Sequence, residues 1–154
     1  MQGEITRLIW WTHISVLIAA GLVLAAQPAV SVAAPALECP QSIPEQSVHL
    51  VDAPKGWNTF VRAPLYLNSA APMDGPPEHL GELADYEQRK VRGGWKNTYQ
   101  LDGKFPDGKW LACGYGESNQ VVLSRRLDEV IKQCSITHRQ GRHVGEALIS
   151  ISCE

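Results

Sequence analysis

The stretch WLACGYGES, residues 110–118, places one cysteine in an apolar and aromatic run that is followed closely by two glycines. Residues 109–115 (KWLACGY) have the composition of a β-strand, and residues 116–119 (GESN) have that of a tight turn. Cys113 therefore falls in mid-strand, whereas the nucleophilic cysteine of a papain-like protease begins a helix. We interpret Cys113 as half of a disulfide rather than as a catalytic thiolate.

All four cysteines of the chain lie beyond residue 38. An even number of cysteines in an exported protein is typical of two disulfides, and four cysteines allow three pairings. We expect Cys113 to pair with Cys134 within the central sheet, and Cys39 to pair with Cys153 so that the ends of the domain are joined. The closely spaced cysteine pairs of a structural zinc site do not occur.

Outward from this stretch, the second half of the chain predicts an antiparallel sheet of consecutive hairpins. Strand-like segments alternate with polar or glycine-containing connectors, as in an all-β protein. The further predicted strands are 95–101, 120–126, 134–139 and 147–153. The fold class is therefore mainly β, stapled by two disulfides.

The first half of the exported part has weaker patterns. Residues 47–52 and 58–68 contain short apolar or β-branched runs, and 69–77 has the composition of a loop. Residues 78–90 have helix-like spacing weakened by Gly81, so a short helix and an ordered loop both remain open there. The helix would make the fold α+β.

The N-terminal residues predict export. An uncharged apolar run at 8–26 follows a short polar start and precedes Ser31-Val32-Ala33, small residues of the kind that a signal peptidase recognises. We expect a cleaved signal peptide at 1–33 and a single β-rich domain at 34–154 in the periplasm. An uncleaved membrane anchor is the alternative, since a run of this length can cross a bilayer.

Charge and motifs exclude several function classes. The formal net charge of −2 gives no basic face for nucleic acid. No phosphate-binding loop, dinucleotide fingerprint, HExxH motif or nucleophile elbow occurs. We therefore expect no enzyme activity and no cofactor. His138 and His143 flank a tight turn, but they lack a third ligand, so we expect no metal.

Tryptophan, tyrosine and histidine residues supply the candidate partner surface. The tryptophans and tyrosines of the predicted strands can form the core or a surface for a sugar or a partner, and both interpretations are kept. Trp57 follows a turn and is the tryptophan expected to be most exposed. The candidate surface comprises Trp57 and the turn histidines, His138 and His143.

Several short motifs together resemble a family of small exported proteins of Gram-negative bacteria, named after a Salmonella Typhi locus tag. These are CPQSI (39–43), GW (56–57), Trp95, WLACGY (110–115), LSRRL (123–127), Cys134 and Cys153. The resemblance implies a periplasmic protein and supplies no catalytic or binding residues. The naming locus lies in a type VI secretion neighbourhood. The resemblance therefore also implies an immunity role, through gene neighbourhood alone.

Two functions of different class follow from these observations. The leading expectation is a non-enzymatic periplasmic protein that binds a protein partner, as an inhibitor or immunity-type protein against a cell-wall-active enzyme. A rigid disulfide-linked β domain can present a binding surface at low entropic cost. The alternative is a periplasmic hydrolase or metal-dependent enzyme with an unrecognised site.

Overall fold

The computed structural model describes residues 37–81 and 83–154. The signal peptide predicted at 1–33 and its boundary at residue 34 lie outside these residues. The described chain is built from β-strands and two short 3-10 turns. The strands are β1 (Ser42–Ile43), β2 (Leu65–Asp74), β3 (Tyr86–Val91), β4 (Gly94–Gln100), β5 (Lys109–Tyr115), β6 (Val121–Arg126), β7 (Gln133–Gln140) and β8 (Ala147–Cys153); the turns are Glu45–Ser47 and Pro77–His79.

The strands form two antiparallel sheets of four strands each. Sheet I has the strand order β1-β2-β5-β6, and sheet II has the order β3-β4-β7-β8. Hairpins join β3 to β4, β5 to β6 and β7 to β8, whereas the chain changes sheet after β2, β4 and β6. The sheets meet along β2, which packs against β7 and β8.

The mainly β antiparallel fold is confirmed, and the strands predicted in the second half match β4 to β8. The loop predicted at 69–77 is wrong, because β2 continues through it to Asp74 and pairs with β5. The helix considered at 78–90 is absent from the residues described there. A 3-10 turn and then strand β3 occupy that segment, because β3 pairs along its whole length with β4.

A cluster of buried side chains joins the two sheets. Leucine and tyrosine side chains of β2 and β5 pack with residues of β4 and β7 in this core. Its buried members are Cys39, Leu67, Ala70, Ala84, Tyr99, Leu101, Leu111, Cys113, Tyr115, Leu127, Cys134 and Ile136. Both disulfides therefore contribute to the hydrophobic core.

The segments that carry the chain between sheets are anchored in this core. Leu101 follows β4, Leu127 follows β6, and both side chains are buried. The backbone N–H of Leu101 donates to the carbonyl of Lys132 at 2.7 Å, so the two crossovers are hydrogen-bonded to each other. Lys109 is also buried, and its Nζ donates to the carbonyls of Glu129 (2.8 Å) and Ile131 (2.7 Å). These contacts satisfy backbone groups where the strand ladder ends.

The two disulfides are present, but the predicted pairing is wrong. Cys39 is bonded to Cys113, and Cys134 is bonded to Cys153. The expected Cys113–Cys134 bond required β7 to lie beside β5, but β5 belongs to sheet I and β7 to sheet II. Side-chain alternation places each cysteine on an inward face without specifying which strands are neighbours.

The register of the last hairpin explains the Cys134–Cys153 bond. The two residues are directly opposite on β7 and β8, with their Cα atoms 4.1 Å apart. The next pair, Gln133 and Glu154, exchanges both backbone hydrogen bonds. The cysteines therefore occupy a non-hydrogen-bonded position, where opposed side chains are closest.

The other disulfide fastens the N-terminal segment to sheet I. The Cα atoms of Cys39 and Cys113 are 5.9 Å apart, within the range that a disulfide spans. Beside this bond, the buried Tyr115 hydroxyl donates to the carbonyl of Pro40 at 2.9 Å. Burial raises the pKa of Tyr115 to about 12, so this hydroxyl remains a donor at neutral pH. Residues 39 and 40 are thus held on β5 by a covalent bond and a hydrogen bond.

Candidate functional site: the intersheet cleft

A cleft of about 680 Å³ lies between the two sheets. Strands β3, β4 and β7 of sheet II contribute one wall, and β2, β5 and the start of β6 contribute the other. We call this space the intersheet cleft. Its volume is in the range of small-molecule sites.

The sheet II wall consists of aromatic and amide side chains. Along β4, Trp95, Asn97 and Tyr99 point to the same face, because alternate residues of a strand share a face. Gln88 on β3 donates from Nε2 to Oδ1 of Asn97 at 3.0 Å, and Asn97 donates to the Tyr99 hydroxyl at 3.4 Å. The Tyr86 and Tyr99 rings lie 5.1 Å apart. Burial raises the pKa of Tyr99, so its hydroxyl is neutral.

The sheet I wall is made of small residues, which create the space. Ala71 on β2 lies opposite Ala112 on β5, and both line the cleft. Gly114 is next along this face, where a Cβ would overlap the side chains of Asn119 and Ser69. Ser69 donates its hydroxyl to Oδ1 of Asn119 at 3.0 Å. The absence of a side chain at Gly114 therefore lets this polar pair approach the strand.

Asn119 is placed by the turn between β5 and β6. Its backbone has a φ of 54°, a left-handed conformation that asparagine tolerates better than most residues. Its Oδ1 also accepts a hydrogen bond from the Asn68 side chain at 3.1 Å, so one turn residue binds two side chains of β2. The amide and hydroxyl groups of both walls are therefore held by hydrogen bonds before anything enters the cleft.

His138 is, with Tyr99, a buried titratable residue of the site. Its side chain lines the cleft from β7 with only 5 % of the residue exposed. The Trp95 ring stacks on the imidazole with the centroids 5.5 Å apart and the planes 11° from parallel. Burial lowers the pKa of His138, so the ring is neutral at pH 7. Nε2 of His138 is buried without a hydrogen-bond partner, which is uncommon in a native protein.

The predicted partner-surface residues line separate depressions. His138 lies in the intersheet cleft, and Trp57 lies on the long segment between β1 and β2, where it is 75 % exposed. His143 lies at the tip of the β7–β8 hairpin, and its ring stacks on Tyr66 with the centroids 4.3 Å apart. The expected exposure of Trp57 is confirmed. The structure does not bring the three residues into one site.

The hairpin tip that carries His143 is held by an acidic side chain. Oε2 of Glu146 accepts the backbone N–H groups of Arg142 (2.6 Å) and His143 (2.9 Å). These two hydrogen bonds lower the pKa of Glu146, and the bond from His143 has the larger effect. The tip is therefore a preformed turn, and its histidine ring is directed to Tyr66 instead of to His138.

Two kinds of catalytic group considered from the sequence, a free thiol and a metal cluster, are not found in the described residues. Cys113 is disulfide-bonded, so it is not a free nucleophile. Within residues 37–81 and 83–154, no three histidine, cysteine or acidic side chains cluster as metal ligands do. The same residues contain no helix long and apolar enough to span a membrane.

Several cleft residues were not identified from the sequence. Tyr86 and Gln88 fall in the segment considered as a helix, and Asn68, Ser69 and Asn119 were assigned no role. One signal was present in β4, where Asn97 interrupts the apolar face formed by Trp95 and Tyr99. A buried amide in such a position indicates either a hydrogen-bonded core or a binding surface.

The fold and the cleft define a small, disulfide-linked β protein with a cleft between its two sheets. The family model described as "Type VI secretion system Tli immunity protein" matches residues 62–154, which include every residue that lines the cleft. The chain belongs to this family. No curated protein and no solved structure matches the chain.

Membership in this family confirms the immunity-type part of the leading functional expectation. The chain is an immunity-type inhibitor, and the family supports this function rather than the hydrolase alternative. The family match agrees with the resemblance noted in the sequence in one respect, since both point to a family linked to secretion. The match supports neither the locus-tag name nor the motif pattern quoted for that resemblance. Immunity proteins bind a partner protein, so the family match supports the expected protein partner.

Proposed function

We propose that this chain resides in the periplasm and neutralises one type VI secretion effector by binding it, without catalysis. The observation that carries the proposal is the family match over residues 62–154. Two disulfides and the hydrogen-bonded walls of the cleft favour binding, because a rigid surface loses little conformational entropy when a partner docks.

Stoichiometry tests this proposal. When the cognate effector is titrated with the purified protein, the activity of the effector should fall linearly and reach zero at one inhibitor per effector. The activity is assayed first on isolated cell wall, the target class expected from the sequence. A bound inhibitor acts in proportion to its amount, whereas an enzyme acts repeatedly. Progressive inactivation at a hundredfold deficit of this protein would contradict the proposal.

We include Trp57 in the effector-binding surface. Trp57 and Phe60 are largely exposed, and large aromatic side chains of this kind are common anchors of protein interfaces. Their segment precedes residue 62 and so lies outside the family match, which suits contacts specific to one effector. In the titration, Trp57→Ala should weaken effector affinity about tenfold. The equally exposed Val130, changed to alanine, serves as the control and should have no effect.

We place the protein in the periplasm through a cleaved signal peptide. The two disulfides fit an oxidising compartment, which supports this location. Intact-mass measurement of protein from the periplasmic fraction should give a chain that begins near Ala34. A membrane-fraction protein that retains residues 1–33 would instead support the anchor.

A further inference from the structure

We propose that the intersheet cleft receives an uncharged segment of the effector, which packs on Trp95 and Tyr86 and hydrogen-bonds to the amide side chains and to His138. This inference rests on the proposed function, because it assigns the effector a position on this chain. It also assigns the segment a chemistry: polar groups that donate and accept hydrogen bonds, without a carboxylate, ammonium or guanidinium group.

The charge of the cleft supports this chemistry. Among the residues that the structure describes, none that lines the cleft is aspartate, glutamate, lysine or arginine. A charged group that entered would lose its hydration without meeting an opposite charge, which is costly. An uncharged amide or hydroxyl would instead exchange water for the side chains of Gln88, Asn97 and Asn119.

The aromatic residues supply the apolar part of the surface. Trp95 is 46 % exposed and Tyr86 is 51 % exposed, although both lie on the wall of a concave site. Each ring is already fixed by a neighbour, Trp95 by His138 and Tyr86 by Tyr99. Rings held in this way can cover a partner at little entropic cost, as aromatic anchors do in other interfaces.

The unpartnered nitrogen of His138 is a third observation, independent of the charge and of the aromatic rings. A buried polar atom without a hydrogen bond destabilises the free protein, and such atoms in native structures call for an explanation. The neutral imidazole lines the cleft, so a small adjustment of the ring can pair this nitrogen with a group of the effector. The missing hydrogen bond is then completed in the complex.

Two variants test the cleft. Both should weaken effector binding, but they should change the unfolding temperature differently. Gln88→Glu places a carboxylate on the wall and removes the amide that donates to Asn97. It should weaken effector binding at least tenfold and lower the unfolding temperature only slightly, because residue 88 is exposed. His138→Phe keeps the ring stacked on Trp95 but removes both nitrogens. It should weaken binding about tenfold while the unfolding temperature stays equal or rises, because the unpaired atom is gone.

The matched control is Gln100→Glu. Gln100 is an exposed glutamine of sheet II that also hydrogen-bonds a cross-strand amide, that of Gln133 at 3.4 Å. It lies on the opposite face of β4 from Asn97 and Tyr99, so the same charge change leaves the cleft unaltered. The affinity of the Gln100→Glu variant for the effector should stay within twofold of that of the unmodified protein.

The outcomes separate this inference from the proposed function. If the unmodified protein inhibits the effector and Gln88→Glu and His138→Phe do so equally well, the cleft assignment is wrong and the function stands. If chitotetraose, a neutral amide-bearing glycan, binds and these variants abolish its binding but not that of the effector, the occupant is a glycan and the inference is also wrong. If the unmodified protein fails to bind the effector, the proposed function itself fails.

Discussion

Replacing Cys113 with serine should free the thiol of Cys39 and lower the free energy of unfolding by about 4 kcal/mol. The bond between these residues closes a separation of 74 positions, so its loss returns much conformational entropy to the unfolded chain. Peptide mapping under non-reducing conditions would show the free Cys39, and urea unfolding would give the free energy. A cost of this size is a large part of the stability of a small domain.

The second disulfide provides the comparison. Cys153→Ser opens a separation of only 19 positions and should free Cys134 at a cost of about 3 kcal/mol. Finding a free Cys134 after the Cys113 substitution would contradict the observed pairing and restore the one expected from the sequence. Ready alkylation of Cys113 in the unmodified folded protein would reopen the nucleophile interpretation.

Gly94→Ala should destabilise the protein by about 2–4 kcal/mol and loosen the stack of Trp95 on His138. A Cβ at Gly94 would overlap the carbonyl oxygen of His138, so β4 and β7 could not keep their present separation there. The looser stack should change the tryptophan fluorescence of the folded protein, and the lower stability should reduce the unfolding midpoint.

The neighbouring Gly93 is the control for this substitution. Gly93 has a φ of 78°, and nothing lies near its missing Cβ, so alanine would meet backbone strain without a collision. That strain costs roughly 1 kcal/mol, and it leaves Trp95 and His138 in contact. Equal destabilisation by the two substitutions would show that the close approach of β4 and β7 does not limit residue 94.

The strands of the second half were predictable because two signals mark the same boundaries: the alternation of apolar and polar residues along each strand, and the turn residues between strands. Segments such as 109–115 and 147–153 coincide with β5 and β8. Strand β2 was only partly recognised, because Ser69-Ala70-Ala71-Pro72 has the composition of a loop. Its pairing with β5 is a long-range contact that overrides local preference.

The order of the strands was not predictable in the same way. Alternation shows that Cys134 faces inward, but the chain changes sheet after β4 and β6, and no local residue marks that change. The disulfide pairing and the cleft both depend on it. Trp95 and His138 were noticed as residues, yet their stacking arises only because β4 lies beside β7. The exposure of Trp57, by contrast, was predictable from the turn that precedes it.

The position of Cys39 affects how the protein should be produced. The residues shared with the family, 62–154, contain Cys113, Cys134 and Cys153 but not Cys39. A recombinant fragment cut at that boundary would carry an odd cysteine on β5, and in an oxidising medium such a thiol cross-links to a second copy. The fragment would also lose the carbonyl of Pro40 that the buried Tyr115 hydroxyl requires. Material for crystallisation or binding assays should therefore begin ahead of Cys39.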